Sequence, residues 1–191
     1  MTTAGDHTRR ALQRAAIEQF AARGFFGVTL PELGRAAGIG AATVYRHVDS
    51  KEALFNTVLR DQRQALDDAL WSHVDTRRGP EDVLHVVWNR FRDFGQFNTP
   101  ALVLLELRQH ALPLEPSTAS LLRRSPLEPL VPVLVRGQRT RVVREGSPEH
   151  LAEVVRGIFL ASFKRSVRRL KVTELGPLLD GEAIAWSAIR A

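Results

Sequence analysis

The chain has 191 residues, of which 44% are hydrophobic and 25% charged, and this composition excludes an intrinsically disordered protein. It contains no cysteine, which excludes disulfide frameworks, thiolate metal sites and cysteine nucleophiles and agrees with a reducing cytoplasm. The formal net charge of +6 favours a polyanionic partner, such as nucleic acid or an acidic membrane surface.

The first predicted helix spans residues 7–23, where apolar side chains recur with helical spacing. A capping box opens the second helix, because Thr29 fits the N-cap and Glu32 follows it at the third helical position. Together they predict a short helix over residues 29–37.

A glycine-containing turn follows this second helix. Gly38 is expected to end it, and Ile39 supplies an apolar side chain that can be buried within the turn. A third short helix is predicted over residues 41–47, with Val44 facing the core. Two short helices joined in this way and preceded by a bracing helix match the helix-turn-helix layout of DNA-binding proteins.

Longer helices are predicted for the rest of the chain, and no sustained strand pattern is present. Prolines punctuate several shorter helices between the long ones. The predicted fold is therefore all-α, with a three-helix helix-turn-helix domain over residues 1–50 and a helical domain over residues 51–191. The main helices of this second domain are expected at residues 51–75, 80–97, 148–170 and 180–190.

The segment TLPELGRAAGIGAATVYRHVDSKEALF, residues 29–55, closely resembles the DNA-binding segment of the tetracycline-repressor (TetR) family of bacterial regulators. The detailed resemblance covers about residues 10–59, and beyond them only the helical layout and the overall length agree. The resemblance implies a homodimer whose recognition helices enter successive major grooves of a palindromic operator. It also implies a C-terminal domain that holds a small-molecule effector and the dimer interface.

The predicted DNA-binding residues lie on the second and third helices and at the start of the fourth. Arg46 can donate two hydrogen bonds to a guanine, which is worth about 1–3 kcal/mol of discrimination. Tyr45 carries a hydroxyl that can donate to a phosphate, and Lys51 stands beside exposed helix N–H groups. The full set is Thr29, Ala41, Ala42, Thr43, Tyr45, Arg46, His47 and Lys51.

Each of these residues also has a purely structural alternative. Tyr45 could fill the joint between the first and fourth helices, and His47 could pack against the turn. Arg46 could extend into solvent, and Lys51 could only balance Asp49 or Glu52. Sequence alone does not separate these alternatives.

The chain departs from the family pattern at the start of the third helix. Gly40 stands where the family commonly has a Ser or Thr hydroxyl, and Ala41 and Ala42 offer no side-chain hydrogen bonds. Direct base reading would therefore depend on Thr43 and Arg46, together with DNA shape and phosphate contacts.

Candidate effector contacts lie on the long helices of the second domain. The helix over residues 80–97 combines aromatic and aliphatic side chains with nearby polar ones, as small-molecule pockets do. The alternative is that its aromatic side chains fill an ordinary helical core. An apolar or amphipathic effector is expected to contact Leu66, Leu70, His85, Trp88, Asn89, Phe91, Arg92, Gln96, Glu106 and Phe159.

A dimer interface is predicted on the last two helices, residues 148–170 and 180–190. Their apolar faces could form a four-helix interface across a two-fold axis, and Gly157 and Ala161 would allow close approach.

Enzymatic and membrane functions find little support in the sequence. No phosphate loop, nucleophile elbow or HExxH motif occurs, and the six histidines show no metal-ligand spacing, so we expect no catalytic residue, metal or cofactor. No apolar run approaches the roughly 18 residues of a membrane span, and the N-terminus does not resemble a signal peptide. The sequence thus favours a ligand-responsive, cytoplasmic DNA-binding regulator that acts as a repressor. The alternative is a helical ligand- or protein-binding module that has lost specific DNA binding.

Overall fold

The computed structural model describes residues 4–107, 113–168 and 176–191, and α-helices make up most of them. A π-helical turn, Val103–Leu107, follows α6, and a 3-10 turn, Glu128–Leu130, precedes α8. This architecture confirms the predicted all-α fold. The α-helices are α1 Ala4–Arg23, α2 Leu30–Ala36, α3 Ala41–His47, α4 Lys51–Trp71, α5 Pro80–Phe97, α6 Thr99–Leu102, α7 Pro116–Arg123, α8 Val131–Arg139, α9 Pro148–Arg168 and α10 Gly176–Ile189.

The helices form two compact units. One unit comprises Met1–Ala65 and Asn98–Arg123, and the other comprises Leu66–Phe97 and Arg124–Ala191. The predicted domains, residues 1–50 and 51–191, express a division of roles that this clustering does not test, so that division stays a prediction.

An aromatic cluster forms part of the core of the first unit. The rings of Phe20 and Phe55 meet edge to face with centroids 5.0 Å apart, and the ring of Phe25 lies 5.0 Å from that of Phe55. All three side chains are buried, as is Leu33 of α2. This cluster joins α1, the loop after it and the beginning of α4, and so supports the helices that carry α3.

The second unit has its own aromatic core, built from α5 and α9. The rings of Phe91 and Phe159 stack with centroids 3.8 Å apart, and Trp88 meets Phe159 edge to face at 5.4 Å. Gly181 of α10 packs so closely that an added Cβ would stand 2.8 Å from atoms of Trp88 and Ser162. A larger residue at position 181 would therefore have to push α10 away from this core.

Candidate nucleic-acid interface

The turn between α2 and α3 has the geometry that the glycine pattern predicts. Gly38 has a φ of +68°, in the left-handed region that favours glycine. The next backbone N–H, of Ile39, donates a 2.8 Å hydrogen bond to the carbonyl of Gly34 in α2. Val44 is fully buried, so α3 packs through this residue and turns its opposite side outward.

The start of α2 is fixed by the predicted pairing of Thr29 with Glu32. The Glu32 carboxylate accepts hydrogen bonds from both the backbone N–H and the hydroxyl of Thr29, each 2.8 Å long, and Arg23 donates a third at 3.0 Å. These hydrogen bonds, with that of the Thr29 hydroxyl as the largest cause, lower the pKa of Glu32 to about 2. The Thr29 hydroxyl proton is thereby used within the protein, and a contact from Thr29 to DNA stays a prediction.

The outward side of α3 carries most of the predicted DNA contacts. Ala41, Ala42, Tyr45 and Arg46 are exposed, and Thr43 is half-buried. The side chain of Tyr45 is 59% exposed, which favours a role at the surface over filling a joint between helices. Arg46 donates a 3.3 Å hydrogen bond to the hydroxyl of Thr43, so the two side chains expected to read bases lie side by side.

His47 lies at the end of α3 beside a narrow groove of about 90 Å³. Arg9 and Gln13 of α1 line the same groove, as does Asp49 from the segment before α4. The half-buried His47 is therefore positioned between packing and exposure, and its contact with DNA stays a prediction.

Lys51, the first residue of α4, faces the loop that connects α1 to α2. Its ammonium donates hydrogen bonds to the carbonyls of Phe25, at 3.2 Å, and Val28, at 3.0 Å. The same nitrogen lies 4.1 Å from the centroid of the Phe25 ring. Within the described residues, no ion pair joins Lys51 to Asp49 or Glu52, the structural alternative considered above.

A polar stripe on α4 was missed in the sequence analysis, which assigned that helix only an apolar face. Asn56 is fully buried, donates to the carbonyl of Pro113 at 3.0 Å and accepts a 2.9 Å hydrogen bond from the Glu115 N–H. Arg60 donates to the carboxylate of Glu115 at 2.6 Å. One further turn along, Arg63 donates to the carbonyl of Leu121 at 3.1 Å. The helical spacing of 56, 60 and 63 was visible, but the acceptors lie more than 50 residues away.

The predicted effector residues occupy different environments. The five apolar ones are buried in the second unit: Leu66, Leu70, Trp88, Phe91 and Phe159. The aromatic residues among them pack against one another, as the core alternative anticipated, and their contact with an effector stays a prediction.

The polar members of the predicted effector set form a connected group on α5. His85 Nδ1 lies 2.6 Å from a carboxylate oxygen of Glu182 in α10, and Asn89 donates to the carbonyl of His85 at 2.8 Å. Arg92 in turn donates to the side-chain oxygen of Asn89 at 2.5 Å. These contacts show how the polar side chains satisfy one another, and they do not test effector binding.

Two other predicted effector residues lie apart from this group, and Gln96 and Glu106 are both half-buried. Glu106 belongs to the π-helical turn of the first unit, whereas Gln96 is on α5 of the second. An open groove of about 530 Å³ lies between α5 and α10 of the second unit, and sequence analysis did not anticipate it. Its lining residues are Glu81, Leu84, Glu182, Ala183, Trp186, Ser187 and Arg190.

The predicted interface helices carry an exposed apolar stripe. On α9, Leu151, Val155, Phe159 and Phe163 pack into the second unit. The neighbouring side of α9 is open, where Val154 is 40% exposed and Gly157 and Ala161 are also exposed. On α10, Ile184 is 57% exposed.

Two further searches cover only the parts of the chain that the structure describes. They show no group of three or more His, Cys, Asp or Glu side chains arranged to hold a metal ion. They also show no helix that is both long and apolar enough to cross a membrane.

Comparison with known proteins connects this geometry with one family. Residues 12–58 match the family model of bacterial regulatory proteins of the tetR type. The putative mycofactocin biosynthesis transcriptional regulator MftR of Mycobacterium tuberculosis is 33% identical over 96 residues. That match covers 48% of this chain and 46% of MftR, so the chain spans about half the length of this curated relative.

Solved structures share the fold over nearly the whole chain. A putative tetR family transcription regulator from Shewanella sp. PV-4 superposes with a TM-score of 0.75 at 20% identity, covering 96% of this chain and 98% of that one. The ketosteroid transcriptional regulator KstR2 of Mycobacterium tuberculosis gives 0.75 at 21% identity, with 96% and 95% covered. AibR, in complex with isovaleryl coenzyme A and operator DNA, gives 0.72 at 19% identity, with 82% and 86% covered.

Proposed function

Because the chain belongs to the TetR family of bacterial regulatory proteins, we propose that it is a ligand-responsive transcriptional regulator that binds operator DNA. The observation that carries the proposal is the outward face of α3. Val44 anchors this helix in the core, while Tyr45 and Arg46 are exposed on the side that would enter a major groove. The expected site of action is the cytoplasm, and the expected role is binding and not catalysis.

The proposed division of labour follows the chemistry of each side chain. Thr43 and Arg46, which lie in hydrogen-bond contact, would read base edges. Tyr45 and His47 would hold phosphates, and Thr29 would contribute at the start of α2. Ala41 and Ala42 would let the backbone of α3 approach the floor of the groove.

A homodimer would present two copies of α3 to a palindromic operator. We propose that the exposed stripe of α9 and α10, centred on Val154, Gly157 and Ile184, forms the interface between the copies. An added Cβ at Gly157 would meet no atom within 4 Å, so this position leaves room for a partner helix. The two recognition helices would then lie about 34–36 Å apart, one turn of the DNA helix.

An effector would act by favouring a dimer in which this spacing is lost, so that DNA is released and the protein acts as a repressor. A coupling of about 1–3 kcal/mol between the effector and DNA would suffice. AibR, a structural neighbour whose complex contains both a small molecule and operator DNA, supports this combination. The buried aromatic residues and the polar group on α5 remain our candidates for the effector site, which requires rearrangement of their packing.

The experiment that tests the proposal is a binding titration with labelled duplexes. One duplex carries the region upstream of the protein's own gene, and the other has the same bases in shuffled order. We expect the first to bind at least ~10³-fold more tightly at physiological salt, as sequence-specific proteins do. Equal affinity for both duplexes at every salt concentration would contradict the proposal.

A second candidate function is a helical ligand- or protein-binding module that has lost specific DNA binding. The observation that favours it is the start of α3, where Gly40, Ala41 and Ala42 present no side-chain hydrogen-bond donor or acceptor. Equal binding of the two duplexes, combined with a folded and dimeric protein, would favour this candidate.

A further inference from the structure

We infer that Lys51 is a positioning residue, which fastens the loop between α1 and α2 to the start of α4 and does not neutralise a DNA phosphate. This inference rests on the proposed function, because it assigns Lys51 a role within the DNA-binding unit. It replaces the phosphate contact that the sequence pattern suggests.

The first argument is the geometry of the ammonium group. An ammonium has three N–H donors, and two of them are directed to the carbonyls of Phe25 and Val28. The Phe25 ring faces the same nitrogen at 4.1 Å and adds an electrostatic attraction. To reach a phosphate, Lys51 would have to give up these contacts.

The second argument concerns the loop itself. Phe25 and Val28 are 4% and 1% exposed, so both ends of the loop are buried. Their carbonyls lie beyond the last turn of α1 and outside α2, and buried carbonyls require a donor. Lys51 supplies that donor to both, and so fixes the loop at two points.

The third argument is the place of Lys51 in its own helix. A cation in the first turn of a helix is opposed by the partial positive charge of the helix N-terminus. The two carbonyls offset this repulsion, which explains why a lysine is tolerated as the first residue of α4.

The consequence is a link between two helix starts. Val28 immediately precedes Thr29, which begins α2, so Lys51 ties the first residue of α4 to the start of α2. Because α2 packs directly on α3, loosening this tie would shift the recognition helix even though Lys51 itself does not touch DNA.

The test compares Lys51→Met, Phe25→Leu and the double variant in the full-length protein. Lys51→Met keeps the aliphatic stem and removes the charge, whereas Phe25→Leu removes the ring from a buried position that cannot reach DNA. Arg35→Met is the matched control, because Arg35 is an exposed cation on α2. Circular dichroism melts establish that each variant is folded at the temperature of the assay.

Affinity for the specific duplex is then measured over a range of salt concentrations. We expect Lys51→Met to weaken binding on the order of ten-fold, the cost of losing hydrogen bonds from a charged donor, with no change in the salt dependence. Phe25→Leu should weaken binding in the same direction, and the double variant should be little worse than Lys51→Met alone. A fall of about 0.9 in the slope of log K against log salt, the loss of one phosphate contact, would overturn the inference.

The free protein provides a readout that is independent of DNA. Both Lys51→Met and Phe25→Leu should shift the backbone amide NMR signals of residues 24–28, and Arg35→Met should not. Unchanged loop signals in Lys51→Met would overturn the inference. If the wild-type protein binds no duplex specifically, the proposed function fails, while these spectra still decide the role of Lys51.

Discussion

Gly34 of α2 lies so close to Val44 of α3 that a Cβ added at Gly34 would stand 2.6 Å from Val44 Cγ2. It would also lie 3.0 Å from the carbonyl oxygen of Ile39 in the turn. The crossing of the two helices therefore depends on the absence of a side chain at position 34. The orientation of α3 follows from this contact, and every proposed DNA contact on α3 depends on that orientation.

Substitution of Gly34 by alanine should push α2 and α3 apart. We expect Gly34→Ala to destabilise the folded protein by about 1–3 kcal/mol, the range for overpacked cores, and to weaken specific DNA binding. Chemical denaturation and the duplex titration measure the two effects. The control is Gly40→Ser, because Gly40 has no atom within 4 Å of an added Cβ and serine is a favourable N-cap. Equal stability of Gly34→Ala and wild type would refute this account of the crossing.

Arg46 and Tyr45 should give different patterns when they are changed. Arg46→Ala should reduce the preference for the correct base pair by about 1–3 kcal/mol, because it removes two donors from a guanine edge. Tyr45→Phe should weaken binding to all duplexes alike, since it removes only a phosphate contact. Both are measured as affinities for a set of duplexes with single base-pair changes. Identical profiles for the two variants would show that this division of labour is wrong.

Glu32 should make the stability of the protein depend on pH in the acid range. Its pKa is lowered from an ordinary value of 4.5 to about 2, so folding favours the ionised carboxylate. The resulting stabilisation is fully present above pH 4.5 and is lost as the pH falls towards 2. Comparing the denaturation of wild type and Glu32→Gln at pH 6 and pH 3 measures this, and the difference between them should shrink at the lower pH.

The causes of this pKa shift can be separated by two further variants. Thr29→Val removes the hydroxyl donor, and Arg23→Ala removes the guanidinium. Because the Thr29 hydroxyl is the larger cause, Thr29→Val should raise the pKa of Glu32 more than Arg23→Ala does. NMR titration of the Glu32 side chain reads the pKa directly, and the opposite order would contradict the assignment.

The exposed stripe on α9 predicts the effect of a charge at the proposed dimer interface. Val154→Glu should convert the dimer into a monomer, because two carboxylates would be buried near the two-fold axis. The control is Val142→Glu, since Val142 is similarly exposed, at 42% against 40%, but lies outside α9 and α10. Light scattering after size-exclusion chromatography gives the oligomeric state. A dimer that survives Val154→Glu but not Val142→Glu would place the interface elsewhere.

The helices were predictable because each has local signals in the sequence. Apolar spacing and the Thr29–Glu32 box gave α1 to α3 with ends close to those observed, and α3 has the same bounds in both. The fourth helix ends at Trp71 and not near residue 75, because Ser72 and His73 leave the helix, and His73 does so with a φ of 59°. A positive φ at a histidine has no clear sequence signal.

Contacts between distant residues could not be predicted from the sequence. The ammonium of Lys51 finds acceptors more than 20 residues earlier, and the side chain of Asn56 finds them more than 50 residues later. A helical pattern identifies which face of α4 is buried, but it does not identify what packs there. For the same reason the aromatic residues of α5 fit a core and a ligand pocket equally well, and only their mutual stacking distinguishes the state described here.

The central claim is that α3 reads the major groove of DNA in two copies. Dimethyl sulfate footprinting tests this directly, because the reagent methylates guanine N7 in the major groove. We predict two symmetric clusters of protected guanines whose centres are about 10 base pairs apart, and the loss of guanine protection in Arg46→Ala. Binding of the duplex without any protection at guanine N7, or protection that Arg46→Ala leaves intact, would contradict the account.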